Sequence, residues 1–221
     1  LTIGWRRRPS PEPVASDVVA SAAGLAVSLL SDNMARVSGA VGLRHRHDGT
    51  PMAGTAVTVR TRAGDNLAVY RAFDHCRPGD VLVVDGGGAL DQALMGDIMT
   101  SFAERRGLAG VVVDGAIRDV AAIRQRPFPV FSRGVTHRGP HKNGPGEVNV
   151  PVSIGGMVVH PGDLVVGDED GVLAIPVADA ATVIAGARAQ AAKEAGALAA
   201  IAEDRYDLSW VTAREQLMRD G

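Results

Sequence analysis

Two short valine-rich runs, "VLVV" at 81–84 and "GVVV" at 110–113, limit the possible folds of this chain more than any other feature. Each is bounded by turn residues and followed by Asp-Gly, so both read as buried strands. Between them, residues 90–106 carry the pattern of a long helix. "AGTAVTVR" (53–60) alternates with the period of a strand, "NLAVYRAFDHC" (66–76) reads as helix, and "FPVFSR" (128–133) as a further strand. Helices interleaved with strands, then the strand pieces "VNVPVSI", "MVV", "LVV" and "GVLAIP", predict a mixed α/β protein built in layers.

The flanks complete the outline. "DVVASAAGLAVSLL" (17–30) predicts one amphipathic helix capped by Ser16 or Asp17, and "SDNMARV" (31–37) a second helix start. Residues 38–52 and the breaker-rich 134–149 read as loops, and helices are expected over 178–202 and 209–219. "RPGDVLVV" and "HPGDLVV" resemble one another, which is one turn chemistry used twice rather than a repeat. No stretch resembles a linker, so the expectation is a mobile arm at 1–13 and one domain over 14–221.

Composition excludes several function classes. Net charge is −2 and aromatic residues make up 4%, leaving little for a phosphate-tracking surface or a base-stacking platform, so no nucleic-acid partner is expected. No apolar run reaches the roughly 18 residues of a membrane span, and no apolar region follows the N-terminal arginines as in a signal peptide. A single cysteine, Cys76, fits a reducing, cytoplasmic setting and reads as a buried helix residue.

The chemistry concentrates in "GDIMTSFAERRGLAGVVVDGAIRD" (96–119). If Gly96 breaks the chain at a helix start, the N–H groups of 97–99 point outward and can hold an anion. Arg118 lies one helix and one strand further on, a path that can return it to the same anion, and its guanidinium suits a carboxylate. Asp119 faces another way and could hold a cation. The plain alternative is an Asp97 helix cap and an Arg118–Asp119 capping turn, with Asp114 only holding the strand end.

With "RPGD" before it and "GDEDGVLAIP" after it, this segment resembles the RraA-like family over about residues 25–205, and its aldolase branch in keeping Asp, twenty residues, then Arg-Asp (Asp97, 98–117, Arg118, Asp119). The resemblance implies a single-domain layered α-β-β-α fold of the swivelling type. It implies a class II pyruvate aldolase cleaving a 4-hydroxy-2-oxo diacid, such as 4-hydroxy-4-methyl-2-oxoglutarate, with oxaloacetate decarboxylation as a side activity. Gly96, Asp97, Ile98 and Met99 then cradle the pyruvyl group, Arg118 binds it, and Asp119 ligates Mg²⁺, Mn²⁺ or another divalent cation. A homotrimer or a hexamer made as a dimer of trimers is implied, with a Glu supplied by a neighbouring subunit. Glu194 in "AQAAKEAG" fits that position, and Glu203 is the alternative. A water on the cation, oriented by Asp97 and Glu194, then serves as base. The rival branch is a non-catalytic regulator that binds a ribonuclease, and its members tend to lack part of the motif.

Other candidates carry less. His137 and His141 have the i,i+4 spacing of two metal ligands, but Gly139 and Pro140 between them forbid the helix. His45 and His47 lie in a loop that could border the substrate. "DGGG" (85–88) lacks the lysine of a phosphate loop. Lys142 and Lys193 are the only lysines, one in a loop and one on the last long helix, which speaks against Schiff-base chemistry.

Overall fold

The two valine runs are adjacent strands at the centre of the protein. The structure is a computed structural model describing residues 2–220. In chain order its first half comprises α1 (Ser16–Ala22), α2 (Val27–Asp32), β1 (Arg44–His45), β2 (Met52–Thr61), α3 (Leu67–Ala72), β3 (Asp80–Asp85), β4 (Ala93–Met95), α4 (Asp97–Arg105) and β5 (Gly110–Ile117). There follow α5 (Val120–Ile123), β6 (Val130–Val135), β7 (Gly146–Val148), β8 (Val152–Ile154), β9 (Met157–Val159), β10 (Leu164–Asp168), β11 (Gly171–Ile175), α6 (Val177–Ala202) and α7 (Ser209–Asp220).

The main sheet runs β1-β6-β5-β3-β2-β10-β11, with β4 on β5 and β7 on β2. Its centre (β2, β3, β5, β6) is parallel, whereas β1, β10 and β11 join antiparallel, and the sheet curls into a nearly closed barrel. Successive residues of β3 and β5 serve opposite faces. Leu82, Val84, Val111 and Val113 pack with α3 and α4, while Val81, Val83 and Val112 pack with the β8–β9 hairpin and α6. Burial on both faces is why these strands are continuous valine runs. The layered α/β class expected from sequence is the one observed. Among the described residues, no helix is long and apolar enough to cross a membrane.

Several local expectations are corrected. The helix expected over 17–30 is two helices, because Gly24 takes φ +82° between them. Residues 31–37 start no new helix; α2 ends at Asp32, and Ala35 and Arg36 adopt left-handed φ of 57° and 61°. The helix expected over 90–106 begins only at Asp97, because Ala93 and Met95 pair with Ala116 and Ile117 as a short strand. In β2 the expected alternation is replaced by burial on both faces. The segment expected as a mobile arm lies along the body, where the Arg8 N–H donates to the Val148 carbonyl and Arg6 pairs with buried Glu147. Ser10 donates to the His75 carbonyl at 2.7 Å.

The C-terminal helices behave differently. Ala180, Val183, Ile184 and Ala187 of α6 are buried, but no described residue beyond Ala187 is. Leu198, Ile201, Trp210, Leu217 and Met218 all face outward.

Candidate active site

Parallel strands leave their ligand-binding loops at their carboxyl ends, and here β4 and β5 deliver Gly96 and Arg118-Asp119 to the same place. The Arg118 N–H donates to the Met95 carbonyl at 3.0 Å, which fixes the two strand ends side by side. Gly96 caps α4 with extended backbone (φ −152°), so conformation does not require glycine there. Close approach does: a Cβ would strike the Asp119 carboxylate and lie 2.9 Å from Arg118 Cγ.

Asp119 is a non-glycine residue at φ +59°, ψ +31°, a conformation that aims its side chain back at α4. Its Oδ2 accepts the Asp97 N–H at 3.1 Å and lies 3.5 Å from Arg118 Nε. Its Oδ1 makes no hydrogen bond to any described residue. Both side chains are partly exposed, at 42% and 44%. The three amides expected to point outward are therefore not equivalent. Asp97 donates to Asp119, Met99 turns back to the Gly96 carbonyl at 3.1 Å, and only the Ile98 N–H has no partner among the described residues.

Arg118 and Asp119 line a cavity of about 110 Å³ together with Gly96, Ile98, Met99, Asn66, Tyr70 and Lys142. Sequence reasoning missed Asn66 and Lys142. Asn66 is 2% exposed; its amide N–H donates to the Leu94 carbonyl at 3.0 Å, and its Oδ1 is buried without a partner among the described residues. The "DN" directly before α3 reads only as a helix start, where Asp65 accepts the Leu67 N–H at 3.0 Å, and nothing in it marks Asn66 as a cavity residue. Lys142 is exposed, with its ammonium 5.7 Å from the Tyr70 ring centroid.

The carboxylate of Asp97 turns toward Arg126, which donates to it at 2.8 Å and also binds Glu104, Thr100 and Ser101. Nothing in the sequence pattern singles out Arg126. Within one protomer Glu194 is not brought to the site. It lies on α6, accepts from Gln190 at 3.0 Å, and Gln190 also binds Asp32 of α2. Glu203 pairs with Arg205 at the far end of α6.

His45 and His47 do not border this cavity. They line another, of about 680 Å³, with Arg44, Arg46 and Arg124. Burial, then the charges of Arg44 and Arg124, push Arg46 below its usual value. His47 is structural, as its Nδ1 accepts the Val130 N–H at 3.1 Å and its Nε2 faces the Thr50 carbonyl at 2.8 Å. His137 is exposed, and His141 binds Gln92 at 2.7 Å. Cys76 is buried, and burial pushes its thiol up to about 12, leaving it inert at neutral pH.

Among the described residues, no group of three or more His, Cys, Asp or Glu could hold a metal ion. The donor set still suits one kind of cation. A single half-exposed carboxylate with a free oxygen fits a hard divalent ion that keeps most of its waters.

A barrel-like α/β fold with a small cavity lined by Arg118 and Asp119 at its strand ends defines the class of protein. Residues 27–174 match the RraA-like family, described as Aldolase/RraA, and the chain belongs to that family. A 4-hydroxy-4-methyl-2-oxoglutarate aldolase of Thermus thermophilus is 41% identical over 112 residues, 51% of this chain and 68% of its own length. A crystal structure of an uncharacterized protein from Pseudomonas syringae pv. tomato superposes with TM-score 0.79 at 33% identity, covering 87% of this chain and 91% of the other. The structure of the RNA-processing inhibitor RraA from Thermus thermophilus superposes with TM-score 0.63 at 35% identity, covering 68% of this chain and 94% of the other.

Proposed function

We propose that this protein is a divalent-metal-dependent class II aldolase, a carbon–carbon lyase that releases pyruvate from a 4-hydroxy-2-oxo diacid and also decarboxylates oxaloacetate. One observation carries the reading: Arg118, Asp119 and the free N–H of the α4 terminus converge on one cavity of about 110 Å³. That volume suits a pyruvyl end and lies well below the usual range for larger ligands. The aldolase name of the Thermus relative supports the same reading.

Asp119, with its free Oδ1, would hold Mg²⁺, Mn²⁺ or a similar ion. When bound, the ion supplies Lewis-acid polarisation of the 2-keto group. The Ile98 N–H and the α4 dipole receive the substrate carboxylate. Arg118 stands beside them as a guanidinium that offsets the negative charge of the developing pyruvate enolate. Asn66 adds a buried polar atom to the same wall. Asp97, held by Arg126, anchors the first turn of α4 and so keeps the Ile98 N–H aimed. A water oriented by Glu194 of a second subunit, in a trimer or a dimer of trimers, takes the C4 hydroxyl proton as the C3–C4 bond breaks to leave the second oxo acid. A proton returned to C3 of the enolate completes pyruvate. The outward-facing apolar residues of distal α6 and α7 fit such an assembly. The single domain acts in the cytoplasm.

A coupled assay for pyruvate from 4-hydroxy-4-methyl-2-oxoglutarate and from oxaloacetate, with Mg²⁺ and with EDTA, tests the proposal. Pyruvate release with Mg²⁺, abolished by EDTA and by Asp119→Ala, is expected. Release that survives EDTA but is lost in Lys142→Met would replace the metal mechanism with a Schiff base at Lys142. No release under any condition would leave the regulator reading, for which the solved RNA-processing inhibitor is the precedent.

A further inference from the structure

The loop over 139–145 and the start of β7 carry Lys142 to the cavity, yet the segment is rich in glycine and proline and its residues 141–143 are exposed. Such a segment gains little from apolar burial and loses much chain entropy when ordered. It is nevertheless tied down from two sides.

On the inner side stands Asp65, fully buried at 0% exposure. Its Oδ1 accepts the Leu67 N–H at 3.0 Å, and its Oδ2 accepts the N–H groups of Asn143 at 2.7 Å and Gly144 at 3.0 Å. Two backbone bonds run alongside, Asn66 N–H to the His141 carbonyl at 3.0 Å and His141 N–H to the Gly64 carbonyl at 2.8 Å. The two stitched segments contribute Asn66 and Lys142 to the cavity. On the outer side lies the N-terminal strap. The Trp5 ring packs so closely on Gly144 that a Cβ there would strike it. The Gly146 N–H donates to the Gly4 carbonyl at 2.8 Å, and Arg6 and the Gly4 N–H both engage Glu147.

We propose that Asp65 and the strap at Gly4–Arg6 form a two-sided clamp whose role is to position Lys142 and Asn66 relative to each other over the Arg118–Asp119 cavity. This rests on reading that cavity as the substrate site. Asp65 is a positioning residue, and the structure explains why it is an aspartate. A carboxylate accepts from both segments at once, whereas an asparagine must turn its NH₂ toward one set of donors. Burial pushes the Asp65 carboxyl up, but its three N–H donors and nearby Arg62 outweigh that, so its value is lowered and it stays ionised at neutral pH. The strap lies outside the part of the chain that matches the family, so the outer half of the clamp is not part of the matched family core.

The test compares Asp65→Asn, Trp5→Ala and Arg62→Gln with the unaltered protein. Hydrogen exchange is read at residues 139–147 without ligand. Oxalate, a planar mimic of the pyruvate enolate, is titrated calorimetrically with Mg²⁺ present, and KM and kcat are measured for pyruvate release. For Asp65→Asn, exchange at Asn143 and Gly144 rises at least about tenfold, oxalate affinity and KM each worsen about tenfold, and kcat stays within about threefold. Trp5→Ala gives the same pattern more weakly and decides the matter if Asp65→Asn fails to fold. Arg62→Gln, which leaves all three donors in place, stays within about twofold throughout. Unchanged exchange in the loop overturns the clamp, and so does faster exchange with unchanged oxalate affinity. An unaltered protein that binds no oxalate overturns the functional reading instead.

Discussion

Asp114 and Asp119 lie five residues apart, both beside an arginine, and the structure uses them in opposite ways. Asp114 sits within β5 with its side chain 7% exposed, and both its oxygens are engaged. One binds Arg133 Nε, and the other accepts the Gly155 N–H at 2.7 Å from the β8–β9 turn. The pairing raises Arg133 above its usual value, chiefly through that hydrogen bond. Asp119 lies past the strand end, 44% exposed, in a left-handed conformation, with one oxygen that no described residue engages. A saturated, buried carboxylate can only hold structure. A carboxylate with a spare oxygen, kept in an uncommon backbone conformation by its neighbours, is available for a ligand.

The largest expected effect sharpens the second half of this contrast. Asp119→Asn should lower pyruvate release about 10³-fold, equivalent to about 4 kcal/mol of transition-state stabilisation. Its thermal midpoint should hardly move, because asparagine tolerates left-handed backbone. Steady-state rates and a melting curve on the same sample check both. Asp114→Asn should do the reverse. It strands the Arg133 guanidinium and costs about 3 kcal/mol, seen as a lower urea midpoint, with kcat per folded molecule within about threefold. If Asp114→Asn melts like the unaltered protein, or Asp119→Asn unfolds, the division between the two acids fails.

Gly96→Ala comes next. The added methyl group pushes against the Asp119 carboxylate and against Arg118, whose Nε would lie 3.2 Å from it. Because the backbone there is extended, the fold has no objection, and the effect should fall on the site alone. A loss of about thirtyfold in pyruvate release, near 2 kcal/mol, is expected with an unchanged near-ultraviolet circular dichroism spectrum.

The contrast also shows what a sequence can reveal. That Arg118 and Asp119 return to the Gly96 turn was legible because one helix and one strand set their distance from Asp97, and a buried strand announces its own end. The two central strands β3 and β5 were legible because burial on both faces favours the unbroken valine and leucine runs at 81–84 and 111–113. Strand β4 was not, because "ALM" reads equally well as helix, and its identity comes only from pairing with Ala116 and Ile117. Arg126, Asn66 and Lys142 arrive from segments whose approach depends on tertiary packing. The path of α6 past Ala187 likewise leaves Glu194 beside Gln190, a placement that no local rule predicts.

A third acid–arginine pair, Glu147 with Arg6, gives the smallest and most specific test. Glu147 is 3% exposed, like Asp114, but Arg6 is partly open to solvent at 32%. The Arg6 hydrogen bond lowers the Glu147 carboxyl, burial opposes this, and the Gly4 N–H, Arg6 and Arg60 charges add to the lowering. A folded-state value below the unfolded one contributes stability that is fully present above the unfolded value, near 4.3 for a glutamate. That contribution is lost as pH falls through the folded value. Glu147→Gln should therefore lower the melting temperature by about 2 °C at pH 7, since a partly exposed partner is screened. The gap should close as the pH drops below the ordinary carboxylate range. A deficit that persists undiminished in acid would mean that Glu147 holds the strap by packing rather than by charge, and would remove it from the class that Asp114 defines.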